Sequence, residues 1–144
     1  MKASAPERGS IIRYAYLWDR EHRAARSEGL KDRPALVMAL SVQLDGETTR
    51  VYVVAITHSA PLNKTDAVEL PSAVKRSLGL DTDPAWIVTT ETNAFIWPGP
   101  DVRPIPDGPL GAMVYGKVPN ALLQRVIASY VENHDNNRAA IVVR

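Results

Sequence analysis

The feature that most restricts the fold of this chain is a pair of short apolar runs joined by a turn sequence. The runs are residues 35–40 and 51–56, and Asp45-Gly46 lies between them. Asp-Gly is favoured in tight hairpin turns, where the backbone needs positive φ, and short apolar runs bounded by turn residues favour strands. The sequence therefore predicts two antiparallel strands joined near Asp45-Gly46.

Further strands are predicted in residues 10–18, 85–90 and 93–97. The first of these has the two-residue period of a strand. Its large side chains at alternate positions are Ile12, Tyr14, Tyr16 and Trp18. Residues 19–31 carry many charges of both signs and are predicted to form an exposed loop.

Two helices are predicted. Residues 71–78 favour a short helix, because Pro71 stands near its start and Gly79 just beyond its end. A longer helix begins at Pro119, where apolar residues recur at the spacing of one helix face. The residues of this face are Leu122, Leu123, Val126, Ile127, Tyr130 and Val131. The tail, residues 133–144, is compatible with an edge strand, a partner-binding segment or disorder.

A run of strands followed by one long helix predicts a β-rich α+β fold. We expect a small, strongly bent antiparallel sheet, closed or nearly closed into a barrel, with a C-terminal helix. The 144 residues suit a single domain, with a core of about residues 9–132.

Composition and motifs exclude several classes of function. The chain has no cysteine, which excludes disulfide frameworks, thiolate nucleophiles and zinc ribbons. No nucleotide-binding or serine-hydrolase motif is present, and the three histidines lie far apart, so we expect no cofactor and no metal. Because the formal charge is only +1, a surface that binds nucleic acid would have to be a local patch of basic residues and not the whole protein surface. We expect a cytoplasmic protein without a membrane partner, since no apolar stretch approaches the roughly 18 residues of a membrane span.

Polar side chains mark two predicted strand ends. Arg33-Pro34 directly precedes one apolar run, and Thr57-His58-Ser59 directly follows the other. Proline fixes the backbone beside the arginine, so the guanidinium would be held at the mouth of a strand. The alternatives are a surface arginine beside a turn and an ordinary polar strand terminus.

Four segments then follow one another in a recognisable order. They are Gly9-Ser-Ile-Ile, Ser27-Glu28, Arg33-Pro-Ala-Leu-Val37 and Val53-Val-Ala-Ile-Thr57. This order resembles the MazF/PemK toxin family of endoribonucleases. The resemblance covers about residues 9–132, with inserts near 43–50, 71–84 and 98–110.

The resemblance implies an SH3-like barrel, a homodimer, a small antitoxin partner and metal-independent cleavage of single-stranded RNA. It assigns Arg33 and Thr57 as the catalytic pair. In such a reaction the 2′-hydroxyl attacks the neighbouring phosphate, and a fixed cation and a hydroxyl donor stabilise the phosphorane before a 2′,3′-cyclic phosphate forms. The resemblance also places two carboxylates, Glu28 and Glu91, in the catalytic set; the alternative for Glu28 is a surface ion pair.

Further residues are candidates for RNA binding. His58 is a candidate proton carrier or an exposed neighbour of Thr57, and Ser59 adds a hydroxyl. The basic residues of the charged segment have two interpretations, phosphate steering and a solvated, self-neutralised surface. Those assigned to RNA binding are Arg23, Arg26 and Lys31.

One departure from the family pattern favours a different function. Many members carry a basic residue in the strand that here reads Glu91-Thr-Asn-Ala-Phe-Ile96, where Ala94 takes its place. The first alternative is therefore a non-catalytic SH3-like module for binding or regulation. The second is a gyrase-poisoning toxin on a related barrel, which would need no Arg-Thr pair.

Overall fold

The computed structural model describes residues 5–24, 31–106, 108 and 112–144. These residues form eight strands, three α-helices and a short 3-10 turn at Lys64–Asp66. In chain order the elements are β1 (Ser10–Tyr14), α1 (Asp19–Arg23), β2 (Arg33–Val42), β3 (Thr49–Thr57), β4 (Ala67–Glu69), α2 (Ser72–Ser77), β5 (Trp86–Val88), β6 (Glu91–Ile96), β7 (Val114–Lys117), α3 (Asn120–Asp135) and β8 (Ala140–Val143).

The predicted hairpin is confirmed. Strands β2 and β3 pair antiparallel from Ala35 opposite Ala55 to Val42 opposite Thr49. Gly46 in the connection has a φ of +73°, a conformation that glycine adopts without strain. The Asp45 carboxylate accepts hydrogen bonds from the backbone N–H groups of residues 47 and 48 at 2.8 and 2.7 Å. Local turn chemistry therefore fixes the register of the two longest strands.

Strand β3 lies at the centre of an eight-stranded sheet. One edge of β3 pairs with β2, β2 pairs with β1, and β1 pairs with β7. The other edge of β3 pairs with β6 along its first half and with β5 at its end, and β5 pairs with β4. All these pairings are antiparallel, whereas β8 pairs parallel to β6. Within the described residues, no pairing joins the terminal strands β4 and β7. The β-rich α+β class is confirmed.

The sheet is buried on both faces. Alternate residues of a strand point to opposite faces, so Ile11 and Ile12 belong to different clusters. The helix-side core contains Leu36 and Val54 together with residues of α2 and α3, and the aromatic core contains Tyr14 and Phe95. Burial on both faces explains why β2 and β3 read as continuous apolar runs.

Three expectations about local structure need correction. The segment 19–31 is not loop throughout, because α1 forms at Asp19–Arg23 and Glu21 on it is only 6% exposed. A Glu21 carboxylate oxygen accepts the backbone N–H of Trp18 at 3.0 Å, which stabilises the start of this helix. The first strand ends at Tyr14, four residues earlier than predicted. On α3, Val131 is 48% exposed and lies outside the core.

The tail alternatives are resolved in favour of the edge strand. Helix α3 continues to Asp135, and β8 follows at Ala140–Val143. The chain ends at Arg144, whose backbone N–H donates to the carbonyl oxygen of Ala94 at 2.9 Å. The long helix is therefore followed by one more strand of the sheet.

Candidate functional site

A cavity of about 470 Å³ opens where β2 begins and β3 ends. Ala35 pairs with Ala55 in the hairpin register, so Arg33 and Thr57, each two residues further out, lie across from each other on neighbouring strands. Both side chains line the cavity. The strand-end clusters that the sequence singled out are thus one site.

Five of the nine predicted site residues line this cavity. They are Lys31, Arg33, Thr57, His58 and Ser59. Arg23 does not line it; its Nε lies 3.0 Å from a carboxylate oxygen of Asp19, and its side chain is largely exposed. Glu91 lies outside the lining as well. Arg26 and Glu28 fall outside the described residues.

The Arg33 guanidinium is held by stacking on an aromatic ring. Its Cζ lies 5.0 Å from the centroid of the Trp18 ring, and the Cζ of Arg20 lies 5.4 Å from the same centroid. The buried Nε of Arg33 has no hydrogen-bond partner in the described part of the chain. Burial lowers the pKa of Arg33, an effect that the carboxylate of Glu21 opposes. The ring therefore positions the guanidinium, which makes no ion pair with the described residues.

The Thr57 hydroxyl is also available as a donor. Its oxygen accepts the backbone N–H of Ser59 at 3.2 Å, which leaves the hydroxyl proton for another acceptor. Thr57 is half-buried, whereas Ser59 is exposed. A phosphate oxygen beside Arg33 is an acceptor of the required kind.

His58 is exposed, and each of its ring nitrogens lies within hydrogen-bonding distance of an oxygen atom. Nδ1 lies 2.9 Å from the carbonyl oxygen of Pro84, and Nε2 lies 3.0 Å from a carboxylate oxygen of Asp81. Both partners are acceptors, so both hydrogen bonds form together only when the imidazole carries two protons. Such a ring can release a proton to the cavity only by giving up one of these bonds.

One group of side chains could hold a metal ion. His58, Asp81 and Asp83 are exposed, and each offers a ligand atom within 4.8 Å of the others. Nitrogen and carboxylate oxygen ligands suit several divalent ions. The expectation of no bound metal stays a prediction.

Glu91 supports the site from outside the cavity. Its Oε1 accepts hydrogen bonds from the backbone N–H of Asp19 at 2.9 Å and from the Tyr16 hydroxyl at 3.3 Å. Burial raises the pKa of Glu91, and the Asp19 N–H opposes this shift. Because Asp19 begins α1, Glu91 anchors the segment that carries Trp18.

Ala94, where the family that the sequence resembles carries a basic residue, also lies outside the cavity lining. Ala94 is buried and pairs in the sheet with Tyr52 on β3 and Val143 on β8. A long basic side chain at this position would enter the packed sheet.

Three aromatic or basic residues of the lining were absent from the catalytic and RNA-binding assignments, namely Trp18, Arg20 and Lys75. The sequence predicted Trp18 as a strand residue, with core packing, a dimer contact or stacking on an RNA base as its roles, and not as the support of Arg33. Its stacking on Arg33 depends on the turn after β1. Lys75 lines the cavity from α2 although it is only 5% exposed. Its sequence signal is weak: it stands three residues before Leu78, on the buried side of the predicted helix.

The described lining of the cavity has a surplus of positive charge. Four basic residues line it, namely Arg20, Lys31, Arg33 and Lys75. Three carboxylates also line it, those of Asp32, Asp66 and Asp81. Asp32 is paired with Arg13 and Arg103, each at 3.7 Å, and Asp81 contacts His58, so Asp66 is the one lining carboxylate without an ion pair among the described residues. An anion is the ligand that this arrangement favours.

No family model, curated protein or solved structure matched this chain in our comparisons. Among the helices of the described residues, none has the length and hydropathy needed to cross a bilayer. Function is therefore inferred from the chemistry of the cavity and from the sequence resemblance.

Proposed function

We propose that this protein is a metal-independent endoribonuclease of the MazF/PemK type, a dimeric cytoplasmic toxin whose activity a small antitoxin blocks. In this proposal the bent sheet corresponds to an SH3-like barrel. The observation that supports it is the placement of Arg33 and Thr57 across from each other in a cation-rich cavity. The Arg33 guanidinium makes no ion pair with the described residues, and the Thr57 hydroxyl proton is left for a ligand acceptor.

The proposed reaction is an internal attack within the RNA strand. The ribose 2′-hydroxyl loses its proton and bonds to the adjacent phosphorus, and the bond from phosphorus to the 5′-oxygen of the next nucleotide breaks. That oxygen takes up a proton, so the products are a 2′,3′-cyclic phosphate and a 5′-hydroxyl. Arg33 neutralises the additional charge on the phosphorane, and Thr57 donates a hydrogen bond to it.

Cleavage of single-stranded RNA in EDTA tests this proposal. Arg33→Ala should reduce the rate about a hundredfold or more, and Thr57→Val, which keeps the shape but removes the hydroxyl, should reduce it as well. Arg23→Ala is the matched control, because Arg23 is an exposed arginine outside the cavity lining. Equal rates for Arg33→Ala and the unmodified protein would exclude Arg33 from the reaction.

The chemistry can be tested separately from the residues. A substrate with deoxyribose on the 5′ side of the scissile phosphate should resist cleavage, because it lacks the attacking hydroxyl. Cleavage that requires a divalent ion would instead point to the group formed by His58, Asp81 and Asp83.

A second candidate function is RNA binding or regulation without cleavage. It is favoured by the position of Glu91, whose carboxylate is engaged by Asp19 and Tyr16 outside the cavity, and by the burial of Ala94. A protein that binds single-stranded RNA but leaves it intact would support this candidate.

Sedimentation tests the dimer of the first proposal, for which we expect a mass of about twice 15.8 kDa.

A further inference from the structure

Lys75 lines the cavity, and its buried ammonium group has no acidic partner among the described residues. We infer that Lys75 binds a phosphate group there and, resting on the proposed function, that this group is a backbone phosphate of the RNA. Lys75 enters the cavity from α2, whereas Arg33 and Thr57 enter it from β2 and β3. The cavity would thus hold its ligand between the sheet and α2.

The partners of Lys75 are neutral. Its Nζ donates to the carbonyl oxygen of Asp83 at 2.6 Å and, more weakly, to that of Thr82 at 3.5 Å. Within the described residues, no carboxylate oxygen lies within 4.0 Å of this nitrogen. An ammonium has three N–H groups, so one donor remains.

Burial makes this arrangement informative. Lys75 is only 5% exposed, and removing an ammonium from water is unfavourable unless an opposite charge or sufficient hydrogen bonds replace the water. Two carbonyl groups replace part of the hydration but do not balance the charge. An anion in the cavity would supply both the missing charge and the third acceptor.

The carboxylates near the cavity are engaged elsewhere or lie apart from Nζ. Asp32 pairs with Arg13 and Arg103, and Asp81 contacts the His58 ring and accepts from the backbone N–H of Asp83. Asp66, the third lining carboxylate, makes no ion pair with the Lys75 Nζ within 4.0 Å. A phosphate fits better than a single carboxylate, because several lining cations can contact its oxygens at once.

Thermal unfolding with added pyrophosphate tests phosphate binding without using RNA. We expect pyrophosphate to raise the Tm of the unmodified protein, and Lys75→Met to need about ten times more pyrophosphate for the same increase. Lys64→Met is the control, because Lys64 is exposed in the 3-10 turn and does not line the cavity. Lys75→Gln provides a second neutral variant, since its amide can still donate to the two carbonyl groups if Lys75→Met folds poorly. An equal response of both neutral variants and the unmodified protein, or no response of the unmodified protein, would overturn the inference.

A second experiment tests whether the phosphate belongs to RNA. For single strands, the logarithm of the binding constant falls against the logarithm of salt concentration with a slope of about −0.7 per phosphate contact. With a fully 2′-O-methylated oligonucleotide, which cannot be cleaved, the neutral variants should therefore have a slope shallower by about 0.7, and Lys64→Met should not.

The two proposals can fail separately. Lys75-dependent binding of pyrophosphate without any binding or cleavage of RNA would confirm the phosphate site and overturn its assignment to RNA. RNA cleavage together with an unchanged pyrophosphate response and salt slope in the neutral variants would overturn the role of Lys75 and leave the proposed function standing.

Discussion

Arg33 and Arg144 both contact aromatic rings but differ in their other interactions. Arg33 stacks on Trp18 at 5.0 Å, and Arg144 lies over Tyr14 at 5.6 Å. The Arg144 side chain is only 4% exposed, and its Nη2 lies 3.0 Å from a carboxylate oxygen of Asp101. The Arg33 guanidinium, in contrast, makes no ion pair with any described residue and lines a cavity.

The other contacts of Arg144 are also within the protein. Its Nη1 donates to the carbonyl oxygen of Ala15 at 2.9 Å and to the side-chain oxygen of Asn93 at 3.2 Å. A guanidinium whose donors are satisfied internally stabilises the fold, whereas one that is positioned with free donors is available to a ligand. The aromatic contact alone does not distinguish these two roles; the remaining hydrogen bonds do.

The largest effect should follow removal of the structural arginine. Arg144→Met should lower the free energy of unfolding by about 3 kcal/mol, because it leaves the carboxylate of Asp101 buried without its partner. Urea unfolding measures this change. Arg138→Met is the control: Arg138 is exposed and makes a single side-chain hydrogen bond to Thr65, so its loss should cost less than about 1 kcal/mol.

A double variant shows the source of this loss. Adding Asp101→Asn to Arg144→Met should recover part of the stability, because no unpaired carboxylate remains buried. If Arg144→Met is no more destabilising than Arg138→Met, the Arg144 side chain does not stabilise the fold and the contrast with Arg33 disappears.

The second effect concerns the ring that holds Arg33. Trp18→Leu keeps an apolar side chain but removes the aromatic face, so RNA cleavage should fall about three- to tenfold as Arg33 loses its support. Trp18→Phe should restore most of the rate. A rate that depends on the volume of residue 18 but not on its aromaticity would show that Trp18 only fills space.

Sequence patterns predicted the elements whose signals are local. The hairpin at Asp45-Gly46, the helix between Pro71 and Gly79 and the helix after Pro119 all carry their own start or stop residues. Strands β4 and β7 have three and four residues and exist only through pairing with distant segments. No local pattern of apolar residues could therefore predict β4 and β7.

The residues of the candidate site also differ in whether local sequence patterns could predict them. Arg33 and Thr57 were identifiable because each flanks a strand of the same predicted hairpin. The burial of Lys75 depends on the backbone of Thr82 and Asp83, which supplies its carbonyl partners. These contacts depend on the tertiary structure. The sequence around Lys75 therefore does not distinguish it from a surface lysine on a short helix.

A smaller effect is expected for the stability of an Arg33 variant. Arg33→Met should change the free energy of unfolding by no more than about 1 kcal/mol, because the guanidinium contributes one cation–π contact and no ion pair with the described residues. Urea unfolding beside Arg144→Met measures the contrast directly. If Arg33→Met is as destabilising as Arg144→Met, then Arg33 is structural, and a loss of RNA cleavage would report unfolding instead of chemistry.

The smallest effect should come from Glu91, the carboxylate that anchors α1. Burial raises its pKa, with the Asp19 carboxylate acting in the same direction and Arg20 and the hydrogen bonds opposing. A carboxyl group whose pKa rises on folding favours the folded state most at low pH, and this contribution is lost as the pH rises through the folded pKa.

Glu91→Gln keeps an oxygen that can accept from Asp19 and Tyr16 but does not ionise. The Tm of Glu91→Gln relative to the unmodified protein should therefore increase between pH 4 and pH 7. RNA cleavage should persist, because Glu91 does not line the cavity. A relative Tm that falls over this range would show that the hydrogen bonds to the carboxylate outweigh its burial. A rate reduced more than about tenfold in a folded variant would support the catalytic assignment of Glu91.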